Sequence, residues 1–176
     1  MTERLPPVTS ASASSWRLLL AIAVPIAALD QVTKAIVRNA LPLHDSWTII
    51  PGLLDLTHVR NTGAAFGLLN AIDFAYKAQF MILIAVLALV AIAAFAARLG
   101  AHERLARLGL ALILGGAVGN LIDRAVHGYV LDFVDVYYRG IHFWAFNVAD
   151  AAITVGAALV LVEVLFTGHR HAPSAV

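Results

Sequence analysis

Four of the chain's eleven acidic residues, Asp123, Asp132, Asp135 and Asp150, fall between Gly115 and Gly156, in a chain that is 61% hydrophobic and only 13% charged. Carboxylates placed at the ends of membrane-type helices are expensive, and they mark a functional site by default. Two aspartates held close cannot both ionise. Sharing one proton, they can activate a water and protonate a leaving amine. Elimination supports carboxylate chemistry. There is no cysteine, so thiolate nucleophiles, disulfides and zinc–cysteine sites are excluded. Five of the six serines lie in the terminal tails, and Ser46 is in a loop. The seven histidines are scattered and form no H-E-x-x-H helix, so a zinc protease lacks its ligands. No metal and no cofactor is expected. A net charge of +1 gives no basis for a nucleic-acid partner.

Residue types alone leave the choice of a pair open. Asp150 falls in the first turn of a helix, where the dipole favours negative charge and suits a general base. The stretch from Tyr129 to Tyr138 reads as extended, so Asp132 and Asp135 point to opposite faces. Asp123 is followed by Arg124 and fits a structural ion pair or helix end equally well. Asn120 and Asp123 stand three apart, as do Asn147 and Asp150, each placing an amide and a carboxylate on one helical face. An asparagine amide can donate to a carboxylate and orient it. Asp30 and Lys34, four apart with the acid first, are in the favourable order for an ion pair.

The elements that must position these groups are mostly membrane helices. Apolar runs at about 16–37, 79–97, 105–122 and 148–166 each fit the ~20 residues that span a bilayer core. The fold class is therefore a mainly α, polytopic membrane protein. Residues 1–15, rich in Ser, Thr, Pro and Ala, read as a disordered tail, residues 16–167 as a single membrane-embedded domain, and 168–176 as a C-terminal tail. The link carrying Arg98, Arg104 and Arg107 is cytoplasmic by the positive-inside rule, and so are both termini. The polar groups then lie near the outer leaflet. The first outer loop is too long for a plain connector. Trp47–Ile50 and Leu54–Val59, parted by Pro51-Gly52, suggest a small extracytoplasmic sheet, and Phe74, Tyr76, Lys77 and Phe80 a short interfacial helix. Gly115 and Gly119, answered by Ala152 and Gly156 at the same spacing, suggest close packing of helices three and four.

Five blocks stand in order along the chain: Asp30-Gln31-x-Thr33-Lys34, Arg60-Asn61-Thr62-Gly63-Ala64-Ala65-Phe66, Gly115-Gly116-Ala117-x-Gly119-Asn120-x-x-Asp123-Arg124, Val130-x-Asp132-Phe133 and Phe146-Asn147-x-Ala149-Asp150. With them the chain resembles the lipoprotein signal peptidases, the bacterial signal peptidase II family, from Trp16 to Glu163. Gly67 departs from the serine frequent there, without touching the predicted site. The resemblance implies an aspartic endopeptidase of the cytoplasmic membrane with Asp132 and Asp150 as its catalytic pair. It places Asn61, Gly63, Asn120, Arg124 and Asn147 along the substrate groove, and makes Asp30, Lys34 and Asp123 supporting residues. The implied substrates are prolipoproteins cut on the amino side of a diacylglyceryl-modified cysteine. The implied partners are those substrates and membrane lipids, and a monomer is expected. The alternative is a small proton-coupled transporter using the same acids as a relay, which four spans without visible inverted repeats do not favour. A non-catalytic assembly subunit is a third reading.

Overall fold

The computed structural model describes residues 10–63, 72, 74–99 and 103–167. Among the described residues eight elements follow in order: α1 (Ser10–Ala40), β1 (Ser46–Ile50), β2 (Leu54–Asn61), α2 (Lys77–Ala96), α3 (Arg104–His127), β3 (Val130–Tyr138), β4 (Ile141–His142) and α4 (Val148–Thr167). All four helices are long and apolar enough to cross a membrane. Their outward faces carry large apolar side chains, among them Leu20, Ile36, Leu87, Val90 and Leu161. Such faces are stable against lipid, and the chain is a multi-pass membrane protein.

Helix α3 is the central helix, packed against α1, α2 and α4. Its glycines work on two faces. A Cβ on Gly116 would stand 2.4 Å from the Ala149 carbonyl of α4, and one on Gly109 would stand 2.5 Å from that of Gly156. A Cβ on Gly115 would instead meet the Ala23 carbonyl of α1 at 2.7 Å, and one on Gly119 the Asp30 carboxylate at 2.5 Å. The expected seam of Gly115 and Gly119 against helix four is therefore corrected. That pair admits α1, and Gly109 with Gly116 admits α4, because one helical step of about 100° separates Gly115 from Gly116.

Two helix ends differ from expectation. Helix α3 runs on to His127, which puts Asp123 and Arg124 inside the helix, and it ends where Gly128 takes a left-handed φ of 80°. Helix α1 begins at Ser10. Adding residues to a formed helix is cheap compared with nucleating one, which lets the Ser/Ala stretch join it. The interfacial helix expected around Phe74–Phe80 is not a separate element among the described residues. Lys77 and Phe80 lie in the first turn of α2, and Tyr76 precedes it in a left-handed conformation. The rest of that outer loop, residues 64–71 and 73, lies outside the described residues.

The four strands form one antiparallel sheet in the order β1-β2-β3-β4. Leu131 and Phe133 of β3 pack with Val37 and Leu41 at the end of α1. Strand alternation therefore turns Asp132 to the other face, toward Asn61 and Asn147. This apolar contact aims the carboxylate.

Candidate active site

Asp150 and Asn147 open α4 as a reciprocal cap. The Asp150 backbone N–H donates to Asn147 Oδ1 at 2.9 Å, and the Asn147 backbone N–H donates to Asp150 Oδ2 at 3.3 Å. Two orphan donors of the helix end are satisfied together, as in a capping box. The echo at Asn120 and Asp123 has no such role, because both lie within α3.

Asn147 also reaches the other aspartate. Its Nδ2 donates to Asp132 Oδ1 at 2.7 Å, and Asn61 Nδ2 donates to Asp132 Oδ2 at 3.0 Å. One side chain thus touches both Asp132 and Asp150, and the two carboxyls are coupled electrostatically. Asp132 is only 3% exposed. Burial, with the nearby Asp150 charge, pushes its pKa up to about 7, while the amides of Asn61 and Asn147 and the Lys34 charge pull in the opposite direction.

Behind this pair lies a buried ionic hub. Lys34 Nζ sits 2.8 Å from Asp30 Oδ2 and 3.0 Å from Asp123 Oδ2, with all three side chains 0% exposed. Its third contact donates to Asn120 Oδ1 at 2.9 Å. An ammonium can only donate, so Asn120 must turn its oxygen to Lys34. Its Nδ2 is then left to donate to Asp150 Oδ1, at 2.8 Å. Asn120 Oδ1 also accepts from Asn147 Nδ2 at 3.3 Å. The orientation of the Asn120 and Asn147 amides is thus set from Lys34.

The hub also ties the helices together. Asp30 Oδ1 accepts the Ala149 backbone N–H at 2.9 Å, joining α1 to the start of α4. Asp123 Oδ2 accepts the Leu131 N–H at 3.1 Å, joining α3 to β3 beside Asp132. The ion pair considered for Asp123 is with Lys34, and with Arg38 at 3.5 Å, rather than with Arg124. Arg124 reaches the other way. Its Nη2 donates to the Gly63 carbonyl at 2.8 Å and its Nη1 to the Asn120 carbonyl at 3.4 Å, within electrostatic reach of Asp150, Asp132 and Asp123.

The structure brings Asp30, Lys34, Asn61, Gly63, Asn120, Asp123, Arg124, Asp132, Asn147 and Asp150 into one network. It leaves Asp135 out. That residue lies on the other face of β3, 2.8 Å from His142 Nδ1. Among the described residues no three His, Cys, Asp or Glu side chains converge as a metal ligand set. Sequence reasoning did not assign a role to Gln31, which donates to the Gly119 carbonyl at 3.0 Å, or to Arg38. Gln31 stands next to Asp30 in a quoted block. Arg38 lies one turn beyond Lys34, and that spacing was its available signal.

A family model described as signal peptidase (SPase) II matches residues 22–166. The lipoprotein signal peptidase of Geobacter sulfurreducens is 44% identical over 159 residues, covering 90% of this chain and 98% of the relative. That of Maridesulfovibrio salexigens is 45% identical over 142 residues, covering 81% of this chain and 91% of the relative. A solved bacterial membrane enzyme, 33% identical, superposes with a TM-score of 0.78 over 90% of this chain and 94% of its own.

Proposed function

The chain belongs to the signal peptidase II family and is a peptidase, and from that premise we propose that it removes signal peptides from prolipoproteins by aspartic catalysis at Asp132 and Asp150. The observation that carries the assignment is Asn147, whose side-chain amide donates to the Asp132 carboxyl and whose backbone N–H donates to the Asp150 carboxyl. The transporter reading gains no support from any of the relatives described above.

In the proposed cycle Asp150 is the ionised base and Asp132 the protonated acid. The environments differ in the required sense. Asp150 stands at a helix N-terminus, where the backbone favours negative charge. Asp132 is buried on a strand and holds its proton up to about pH 7. Asp150 takes a proton from water as the hydroxide adds to the scissile carbonyl, and Asp132 donates its proton to the carbonyl oxygen. The resulting gem-diol then returns a proton to Asp132 as the carbonyl re-forms. Asp150 protonates the departing nitrogen, and the C–N bond breaks. Both carboxyls end as they began.

Asn61, Asn120 and Asn147 orient the two carboxyls along the groove, and Arg124 with Gly63 lines the path of the substrate backbone. Asp30, Lys34 and Asp123 hold the Asn120 and Asn147 amides in register. The substrate proposed is a prolipoprotein whose cysteine carries a diacylglyceryl group, cut on the amino side of that cysteine. Apolar helix faces suit its acyl chains. The proposed setting is the cytoplasmic membrane, with both termini cytoplasmic and the aspartates near the outer leaflet, supported by Arg98 in the short inner link and by Arg104 and Arg107 at the start of α3.

The test is a gel-shift assay on purified protein in detergent, given the same prolipoprotein with and without the diacylglyceryl group. Cleavage of the modified form alone is expected. Equal cleavage of both, or of neither, would overturn the substrate assignment.

A further inference from the structure

The three residues that leave β2 are each tied to a different element. Asn61 bonds Asp132 of β3, at 3.0 Å. The Gly63 carbonyl is held by Arg124 of α3 at 2.8 Å, and the Gly63 N–H turns back to Asn61 Oδ1 at 3.0 Å. Between them, Thr62 Oγ1 accepts from Lys77 Nζ of α2 at 3.2 Å. The same ammonium donates to the Ile72 carbonyl at 2.8 Å. Lys77 therefore binds two points of the outer loop that lie ten residues apart in sequence.

Local rules do not place this lysine where it is. It is the first residue of α2, where the helix dipole disfavours a cation, and it is only 9% exposed. The residue before it, Tyr76, holds a left-handed φ of 63°, uncommon for a side chain with a Cβ. Two adjacent departures from local preference at one helix start are accounted for by what they accomplish together, which is to aim Nζ at the end of β2.

We propose that Lys77 is a positioning residue for the peptidase site, acting through Thr62 to hold Asn61 against Asp132. The inference rests on the reading of Asp132 and Asp150 as the catalytic pair. Lys77 touches neither carboxyl in this role. It fixes the direction in which the chain leaves β2, and with it the Asn61 amide that steadies the proton-bearing aspartate.

The experiment uses the full chain in detergent with a diacylglyceryl-modified prolipoprotein, and compares Lys77→Met, Lys77→Arg, Thr62→Val and the double variant Lys77→Met/Thr62→Val. Rates are followed against pH, with thermal unfolding in parallel. Misplacing a group at a reacting centre by an ångström can lower a rate on the order of a hundredfold, so Lys77→Met is expected to lower kcat about tenfold to a hundredfold. Loosening Asn61 removes a bond that holds the Asp132 pKa down, so the alkaline limb of the profile moves to higher pH. Asp150, Lys34 and Arg124, the charged groups facing Asp132 from the helices, are unchanged in these variants. Thr62→Val moves the limb in the same direction. The double variant is no slower than the slower single one, and Lys77→Arg, which keeps charge and reach, recovers part of the rate.

A limb that stays in place in both Lys77→Met and Thr62→Val, or losses that multiply in the double variant, would overturn the proposal. If Lys77→Met fails to fold, the position of the limb in Thr62→Val decides the matter alone. Failure of the underlying reading looks different. Asp132→Asn would then retain the wild-type rate whatever the lysine variants do.

Discussion

Replacing Lys34 with methionine removes the cation at the centre of the hub while keeping a side chain of similar length. The loss can be sized from its contacts. Lys34 lies 2.8 Å from Asp30 and 3.0 Å from Asp123, and all three side chains are fully buried. Removing one partner of such a pair strands the other, at about 3–5 kcal/mol. Both aspartates keep something: Asp30 keeps the Ala149 N–H, and Asp123 keeps the Leu131 N–H with Arg38 at 3.5 Å. The lower end, about 3 kcal/mol, is therefore expected. That is a large share of a total stability of about 5–15 kcal/mol. Activity should fall further than stability alone explains. Without the ammonium, Asn120 is free to turn its oxygen toward Asp150, replacing a donor with a repulsive acceptor. The assay is denaturant unfolding in micelles beside prolipoprotein cleavage, with Lys34→Met/Asp123→Asn as a second arm. Neutralising Asp123 should restore part of the stability and none of the activity. Lys34→Met within about 0.5 kcal/mol of wild type, the range of ordinary surface changes, would refute the hub as a source of stability. Recovery of activity together with stability in the double variant would refute the orienting argument.

Asp132 should make stability fall as pH rises. In the unfolded chain its carboxyl ionises near its ordinary value of 3.8, and in the folded chain near 7. Between those values the unfolded state has released a proton that the folded state still holds, so rising pH favours unfolding by about 4 kcal/mol in all. Unfolding curves from pH 4 to 8 should show this slope in wild type and lack it in Asp132→Asn. Gly119→Ala puts a Cβ 2.5 Å from Asp30 Oδ2, a carboxylate already committed to Lys34. Melting experiments should show a loss of about 1–3 kcal/mol, and cleavage should slow as Asp30 is pushed off the start of α4.

Much of this site can be read from the chain. The spacing of Asp30 and Lys34 gives their ion pair, and alternation along β3 separates Asp132 from Asp135. Local pattern does not say which of those two faces the site. That is decided by Leu131 and Phe133 packing on the end of α1, a contact between segments far apart in sequence. The partners of Asp123 were hidden for a related reason. Ending helix three at Ile122 leaves Asp123 beside Arg124 at a helix terminus, whereas the continued helix turns it inward to Lys34. The glycines misled because G-x-x-x-G names a close approach without naming the neighbour. On α3 two such faces lie one residue apart. In the sequence Lys77 belongs with the aromatic residues of an interfacial segment, and nothing local ties it to Thr62.

The proposed catalytic pair is Asp132 and Asp150, with Asp123 outside it. Single-turnover cleavage of a diacylglyceryl-modified prolipoprotein by Asp132→Asn, Asp150→Asn and Asp123→Asn, each checked for folding by thermal unfolding, tests it directly. The first two are expected to bind substrate and leave it uncut, while Asp123→Asn cuts slowly. A folded Asp132→Asn that cleaves at the wild-type rate, or a folded Asp123→Asn that is as inert as Asp150→Asn, would contradict it.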